Sequence, residues 1–258
     1  MQLSGKIAAI TGGTRGIGRG IAEAFVAEGA KVVIGGRSED KGRRALAEMN
    51  AGDSAQFITM DACNQADVEA FVDGTIDHFG QVDILVNNAG GSSGFAPIAA
   101  MSDDAWKESL DLMLNATFWA TRRALPGMIE RGWGRIINIT SVDSKLIDKE
   151  NIGHYIVNKS AINTLTKVVA FENGAKGVTA NAILPGAVET DLMAITGREI
   201  ADSMNVSYED YLSSYAEVSS IKRLTTVEEI AAVAVLLASE TGGGINGSEM
   251  DVHGGTAL

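Results

Sequence analysis

The sequence has few of the residues that form disulfides or bind metal ions. Its 258 residues include one cysteine, Cys63, and three histidines, His78, His154 and His253. A single cysteine cannot form an internal disulfide, which favours a reducing compartment, and we therefore expect a cytoplasmic protein. The three histidines lack the close spacing of a zinc site, so we expect no metal centre.

Positive charge is also scarce, and no apolar run is long. The chain has 21 lysines and arginines against 33 acidic residues, which gives a formal net charge of -12. Because so acidic a surface repels phosphate backbones and anionic lipid headgroups, we expect neither a nucleic-acid nor a membrane partner. The longest apolar run, IAAVAVLLA at 230–238, is much shorter than a membrane span, and we expect no targeting segment.

Short apolar, β-branched runs do recur along the chain, and they alternate with longer helical patterns. The predicted strands are 6–11, 31–36, 55–60, 82–87, 134–140, 177–184 and 248–253. The predicted helices are 18–29, 40–49, 65–79, 103–130, 154–173 and 227–238. This alternation predicts an α/β fold, a doubly wound parallel sheet of about seven strands with helices on both faces. We expect residues 1–258 to form a single dinucleotide-binding and catalytic domain.

The stretch TGGTRGIG at 11–18 places four glycines between the first predicted strand and the first predicted helix. Backbone N–H groups and the positive end of the helix point at one spot there, where a dinucleotide pyrophosphate would be stabilised. Side chains at Gly12, Gly16 or Gly18 would obstruct the phosphates or the packing of the helix against the strand. A tight strand-to-helix turn without a ligand is the alternative interpretation.

With Thr11 in front, the spacing T-G-x-x-x-G-x-G resembles the cofactor turn of the short-chain dehydrogenase/reductase family. Six further segments resemble motifs of that family, in the same order and over nearly the whole chain: DA at 61–62, NNAG at 87–90, Asn115, ITS at 139–141, YIVNK at 155–159 and LPGAVET at 184–190. The resemblance implies an oxidoreductase that interconverts a secondary alcohol and a ketone by hydride transfer with NAD(P). A non-catalytic dinucleotide-binding sensor or scaffold is one alternative, and a 3-oxoacyl-carrier-protein reductase is another.

The resemblance assigns catalytic roles to four residues. Tyr155 and Lys159 lie four positions apart and therefore share one face of a helix. We expect the ammonium to lower the pKa of the phenol toward neutral pH, so that Tyr155 acts as the general acid/base. Ser141 would donate a hydrogen bond to the substrate oxygen, with Ser144 as the alternative, since the segment from serine to tyrosine is one residue longer than is usual in the family. Asn115 would hold a water that connects Lys159 to solvent.

Cofactor preference is decided where the second strand ends. Gly36 stands at that position, Arg37 follows it, and Arg15 lies in the glycine turn. A neutral position beside guanidinium groups favours the phosphate of NADP(H), whereas Glu39 or Asp40 would favour NAD(H) as the alternative. The predicted cofactor-binding residues are Gly12, Thr14, Arg15, Gly16, Ile17, Gly18, Arg37, Asp61, Ala62, Asn88, Ala89, Gly90, Tyr155, Lys159, Pro185, Gly186, Val188 and Thr190.

The segment 186–224 lacks a strand pattern and is either a substrate-binding lid or a pair of surface helices. Its larger residues are Met193, Ile195, Met204, Tyr208, Tyr211, Leu212 and Tyr215.

The charged stretch DKEN at 148–151 reaches either the substrate entrance or solvent. Four arginines form either a docking surface for an acidic carrier protein or ordinary salt bridges. They are Arg122, Arg123, Arg131 and Arg135. The resemblance also implies a homotetramer built on long helices.

Overall fold

The structure, a computed structural model, describes residues 1–91 and 94–256. Some side chains of one helix also lie outside the description. They are those of residues 191, 192, 195, 196, 199, 200 and 203. The side chain of Ile195, one of the apolar residues of the predicted lid, therefore lies outside the described part of the chain.

Seven parallel strands of the described residues form one sheet in the order β3-β2-β1-β4-β5-β6-β7. Their bounds are β1 Ile7–Thr11, β2 Lys31–Gly36, β3 Ala55–Thr59, β4 Ile84–Asn87, β5 Gly134–Ile139, β6 Val178–Pro185 and β7 Glu249–Val252. The strand order reverses between β1 and β4, which is the mark of a doubly wound sheet. The predicted α/β fold is confirmed.

Helices connect the strands at nearly the predicted positions. Their bounds are α1 Gly16–Ala27, α2 Glu39–Met49, α3 Gln65–Phe79, α4 Asp103–Leu110, α5 Ala116–Arg131, α6 Gly153–Asn173, α7 Asp191–Met204, α8 Tyr208–Val218 and α9 Val227–Ala238. The prediction of one helix over 103–130 is wrong in one respect, because a wider π-helical turn, Asp111–Asn115, separates α4 from α5. No helix of the described residues combines the length and apolar character needed to cross a bilayer.

The central strand β1 is buried along its whole length because both faces of the sheet are covered. In β1, Ala8 and Ile10 face a core that includes α1 and α9, whereas Ala9 faces a second core that includes α3 and α5. Successive side chains of a strand point to opposite faces, so β1 contributes to both cores. Phe25 of α1 and Phe71 of α3 are fully buried, one in each core. Each such ring stabilises the fold by roughly 2–3 kcal/mol.

Candidate active site

A cleft of about 320 Å³ lies at the carboxyl ends of β1, β2, β4 and β5. It spans the point where the strand order reverses, and doubly wound sheets bind their ligands at this position. The predicted residues that line it are Gly12, Thr14, Arg15, Gly16, Ile17, Arg37, Ala62, Asn88, Ala89, Gly90, Tyr155, Lys159 and Thr190. Met60, Gly91 and Leu112 also line it, and no motif in the sequence signalled them.

The glycines of the turn after β1 serve two different purposes. Gly12 and Gly16 line the cleft with φ angles of +65° and +55°, a conformation that side chains disfavour. Gly18 lies behind them, where a Cβ atom would stand 2.4 Å from the Asn88 amide nitrogen and 2.6 Å from the Gly12 carbonyl oxygen. Gly18 therefore permits the close packing of α1, whereas Gly12 and Gly16 shape the wall of the cleft.

Asn88 holds this turn against the end of β4. Its side-chain amide donates to the carbonyl oxygens of Thr11 and Gly12, at 3.0 Å each. The Thr11 hydroxyl in turn accepts hydrogen bonds from the backbone N–H groups of Asn88 (3.0 Å) and Ala89 (2.9 Å). Thr11 is buried and was not among the predicted site residues, although it opens the motif. The two strand ends therefore form one rigid unit beneath the cleft.

The start of α1 is open toward the cleft. Arg15, its N-cap residue, makes no side-chain capping hydrogen bond, whereas Ser38 and Asn64 cap α2 and α3 with their side-chain oxygens. Arg15 and Arg37 both line the cleft, both are exposed, and neither forms an ion pair with another described residue. Glu39, by contrast, forms an ion pair with Arg43 on α2. The end of β2 therefore presents cations rather than a carboxylate.

Tyr155 lines the other end of the cleft, and Ser141 lies beside it without lining the cleft. The Ser141 hydroxyl interacts with the Tyr155 phenol, and this contact on its own lowers the pKa of the phenol. Asp143 belongs to the same cluster, since its carboxylate accepts from the Ser141 hydroxyl at 3.2 Å and its backbone N–H donates to that hydroxyl at 3.1 Å. The motifs did not signal Asp143. Ser144, the alternative to Ser141, instead donates to the Ser141 carbonyl at 2.6 Å and accepts from Asn163, so it supports the turn.

Lys159 is buried beneath Tyr155. Its ammonium donates to the Ile139 carbonyl at 2.8 Å and lies 5.6 Å from the centroid of the Tyr155 ring. Burial lowers the pKa of Lys159 to about 8. Burial also raises the pKa of Tyr155 to about 12, an effect that the Ser141 hydrogen bond opposes and the Asp143 carboxylate reinforces. The expectation of a lowered phenol pKa is thus wrong for this structure, because desolvation is the largest influence on the phenol.

Asn115 lies at the end of the π-helical turn, and its side chain bonds to Asp111 rather than to Lys159. Its amide donates to the Asp111 carboxylate, one turn earlier, at 2.7 Å. Asn115 does not line the cleft and makes no direct hydrogen bond to Lys159. The structure therefore places it on the helix beside the site and holds its side chain through Asp111.

The remaining predicted residues stand behind the walls of the cleft. Asp61 accepts from the backbone N–H of Cys63 at 3.0 Å and so orders the turn after β3. Pro185 pairs with β7, and Gly186 packs so closely on His253 that a Cβ atom would stand 2.9 Å from its Cα atom. Val188 is buried. These residues, like Gly18, do not line the cleft.

Two helices, α7 and α8, occupy the segment predicted as a lid or as surface helices. Thr190 caps α7 and lines the cleft. On α8 the hydroxyls of Tyr211 and Tyr215 are hydrogen-bonded at 3.2 Å. Lys149, from the charged stretch before α6, lies 5.6 Å from the centroid of the Tyr215 ring and 2.6 Å from the Asp143 carboxylate. One residue of that stretch, Lys149, therefore contacts both α8 and the turn that carries Ser141 and Asp143.

Comparison with known proteins identifies the family. Residues 6–200 match the short chain dehydrogenase family. The chain is 36% identical to 3beta-hydroxysteroid dehydrogenase 2 of Eggerthella lenta, over 98% of this chain and 95% of that protein. It is 34% identical to D-beta-hydroxybutyrate dehydrogenase of Cupriavidus necator, over 98% of each. A crystal structure of a variant actinorhodin polyketide ketoreductase with NADPH superposes with a TM-score of 0.92 at 32% identity, over 99% of this chain and 98% of that one. The chain is therefore an oxidoreductase of the short-chain dehydrogenase family.

Proposed function

We propose that the protein interconverts a secondary alcohol and a ketone with NADP(H), with Tyr155 as the general acid/base. The observation that carries this proposal is the placement of Tyr155 and Lys159 on one wall of a cleft whose other wall is the glycine turn. The relatives named above as hydroxysteroid and hydroxybutyrate dehydrogenases support the alcohol class. A sensor that only binds dinucleotides has no use for a tyrosine and a lysine aligned in this way.

The residues of the cleft fit a phosphorylated dinucleotide. Gly12 and Gly16 line the cleft with left-handed backbone angles, and the uncapped start of α1 offers backbone N–H groups to a pyrophosphate. Arg15 and Arg37 would bind the additional phosphate of NADP(H), since guanidinium groups match phosphate geometry. The similarity to a ketoreductase structure with NADPH supports this preference. When bound, the nicotinamide supplies or accepts the hydride.

The protein's own residues handle the proton. With a pKa of about 12 the Tyr155 phenol is protonated at neutral pH, so it can donate its proton to a carbonyl oxygen during reduction. Ser141 donates a hydrogen bond to the same oxygen, where negative charge develops. Lys159, whose pKa of about 8 lies near physiological pH, stabilises the phenolate and can return a proton to it. We propose that Asn115 holds the water through which Lys159 exchanges protons with solvent.

Turnover assays test this function and its alternative. Incubation with NADPH and a panel of ketones, or with NADP and a panel of secondary alcohols, should change the absorbance at 340 nm. Tyr155→Phe should lower kcat at least about 100-fold without weakening NADPH binding, measured by fluorescence titration. Cofactor binding without turnover across a broad panel would favour the sensor instead, and full activity in Tyr155→Phe would refute the assigned role.

The cofactor preference has its own test. Arg37→Ala and Arg15→Ala should each raise KM for NADPH by about tenfold and leave KM for NADH nearly unchanged, because each removes one charge-assisted contact to phosphate. Lys41→Met, which removes an exposed cation from α2, serves as the control. A wild-type enzyme that uses NADH more efficiently than NADPH would contradict the proposal.

The arginines give little support to the alternative of a 3-oxoacyl-carrier-protein reductase. The arginines considered for a docking surface already have partners: Arg122 pairs with Glu69 and Arg123 with Asp73, at 2.6 Å each. Arg131 donates to the Val82 carbonyl, and Arg135 is buried. We therefore favour a free small-molecule alcohol or ketone as the substrate.

We further propose that residues 1–258 act as one catalytic domain in the cytoplasm, with α7 and α8 as the substrate lid. For the assembly we propose a homotetramer, which the apolar surface of α6 supports. Phe171 is 91% exposed there, and Val157 and Val168 are also exposed. Phe171→Asp should reduce the mass measured by light scattering, whereas Glu172→Gln, its exposed neighbour, should not. A monomeric wild-type protein would refute the assembly.

A further inference from the structure

We propose that Asp143, with Lys149 as its counter-ion, is a positioning residue that aims the Ser141 hydroxyl and sets the charge beside Tyr155. This inference rests on the proposed function and assigns to that site two residues that no motif signalled. Asp143 is 8% exposed, and its two carboxylate oxygens have different partners. Oδ2 accepts from Ser141, and Oδ1 accepts from Lys149.

Asp143 controls the direction of the serine proton. A hydroxyl has one proton and two lone pairs. The backbone N–H of Asp143 occupies one lone pair of Ser141 at 3.1 Å, and the carboxylate accepts the proton at 3.2 Å. The second contact is long for an O–H···O hydrogen bond and therefore weak, so the proton can turn to an arriving carbonyl oxygen at little cost. Asp143 thus holds the Ser141 oxygen through its backbone N–H and binds the Ser141 proton only weakly through its carboxylate.

Lys149 compensates the charge of the buried Asp143 carboxylate. An unpaired buried charge is strongly destabilising, and the Lys149 ammonium compensates it from 2.6 Å. The Tyr215 ring of α8, 5.6 Å from the same ammonium, gives Lys149 a second contact, and Tyr211 adjoins that ring. Asp148 and Glu150, the neighbours of Lys149, are exposed. Lys149 is exposed as well, but it is the residue of this stretch that pairs with Asp143.

The charges around the phenol explain why Asp143 matters for proton transfer. Asp143 faces Tyr155 from the turn after β5, and Lys159 faces it from α6. The carboxylate disfavours phenolate and helps to keep Tyr155 protonated, while Lys149 moderates that effect from the far side. Removal of Asp143 and removal of Lys149 should therefore shift the pKa of the Tyr155 phenol in opposite directions.

An NMR titration of the cofactor-free protein tests the charge effect independently of turnover. The chain has four tyrosines, so ring-labelled tyrosine gives four signals, and Tyr155→Phe assigns one of them. Asp143→Asn should lower the pKa of Tyr155 by about one unit. Lys149→Met should not lower it, and Asp148→Asn removes a charge from the same loop as the matched control. An unchanged pKa in Asp143→Asn, or an equal shift in Asp148→Asn, would overturn the proposal.

A kinetic cycle tests the positioning effect. Asp143→Asn should lower kcat about tenfold in the wild-type background and clearly less in a Ser141→Ala background, because the positioning part of its effect passes through that hydroxyl. Equal losses in both backgrounds would overturn the positioning role. If Asp143→Asn does not fold, Lys149→Met provides the same cycle with the carboxylate retained. Activity that survives in Tyr155→Phe would instead refute the proposed function and leave the titration result valid.

Discussion

Burial of the Lys159 ammonium predicts an unusual pH dependence of folding stability. The pKa of Lys159 falls from an ordinary value of 10.5 to about 8 in the folded protein. Below pH 8 the lysine is protonated in both folded and unfolded chains, so the full penalty of burying its charge opposes folding. Between about pH 8 and 10.5 the folded chain has released the proton while the unfolded chain still holds it. Stability contributed by this residue therefore rises with pH in that window.

The size of the effect follows from the two pKa values. A shift of about 2.5 units at roughly 1.4 kcal/mol per unit corresponds to a penalty of about 3 kcal/mol, of which about 2.5 kcal/mol is relieved between pH 7 and pH 10. The raised pKa of Tyr155 acts above pH 10 and lies outside the window.

Comparison with Lys159→Met isolates this contribution. Urea unfolding of the two cofactor-free proteins at pH 7, 8, 9 and 10 gives the difference in unfolding free energy at each pH. The wild type should gain about 2.5 kcal/mol relative to the variant between the first and last pH. Lys41→Met, at an exposed position, should follow the wild type throughout. A difference between wild type and Lys159→Met that stays constant with pH would refute the burial argument.

Four further substitutions test the site and the packing of the fold. Asn88→Ala removes two side-chain hydrogen bonds to the glycine turn and should lower the unfolding free energy by about 2 kcal/mol in urea. Ser141→Ala should lower kcat about 100-fold while Ser144→Ala lowers it less than about threefold, and the reverse order in steady-state assays would move the role to Ser144. Gly177→Ala would place a Cβ atom 1.9 Å from the Gly132 carbonyl oxygen at a φ of +79°. It should destabilise the fold by about 3 kcal/mol or more, and a near-normal thermal midpoint would contradict the packing.

The fold was predictable because its signals are local. The predicted strands are short apolar runs, and the helices predicted to begin at 40, 65 and 103 begin within one residue of those positions, after side-chain caps at Ser38, Asn64 and Ser102. The break between α4 and α5 was not predictable, because Asp111–Asn115 continues the helical pattern and only its hydrogen bonds differ. Spacing specifies that a helix exists, whereas its width depends on what packs beside it.

The candidate site also has residues that the sequence predicts and features that only the structure shows. Tyr155 and Lys159 were found through the resemblance to the family, and their spacing of four positions on a helix accounts for their shared face. The choice between Ser141 and Ser144 needed coordinates, since both are serines near the end of one strand and only Ser141 reaches the phenol. The pKa of Tyr155 was predicted with the wrong sign. A sequence shows which charges are near in the chain, but desolvation depends on how deeply the surrounding fold buries the group.

The residues that give the cleft its chemistry are also those that oppose folding. Lys159 is buried at a cost, Gly12 and Gly16 adopt left-handed backbone angles that add to the entropy lost on folding, and α1 begins without a side-chain cap. Asn88 offsets part of this loss by joining the turn to β4. A ligand that binds the folded chain through these groups stabilises it by an amount that rises with the logarithm of its concentration relative to its dissociation constant. NADPH at 100 times its dissociation constant should therefore add about 2.7 kcal/mol to the unfolding free energy. If Arg37→Ala kept the whole gain at the same NADPH concentration, the guanidinium would have no part in binding the cofactor.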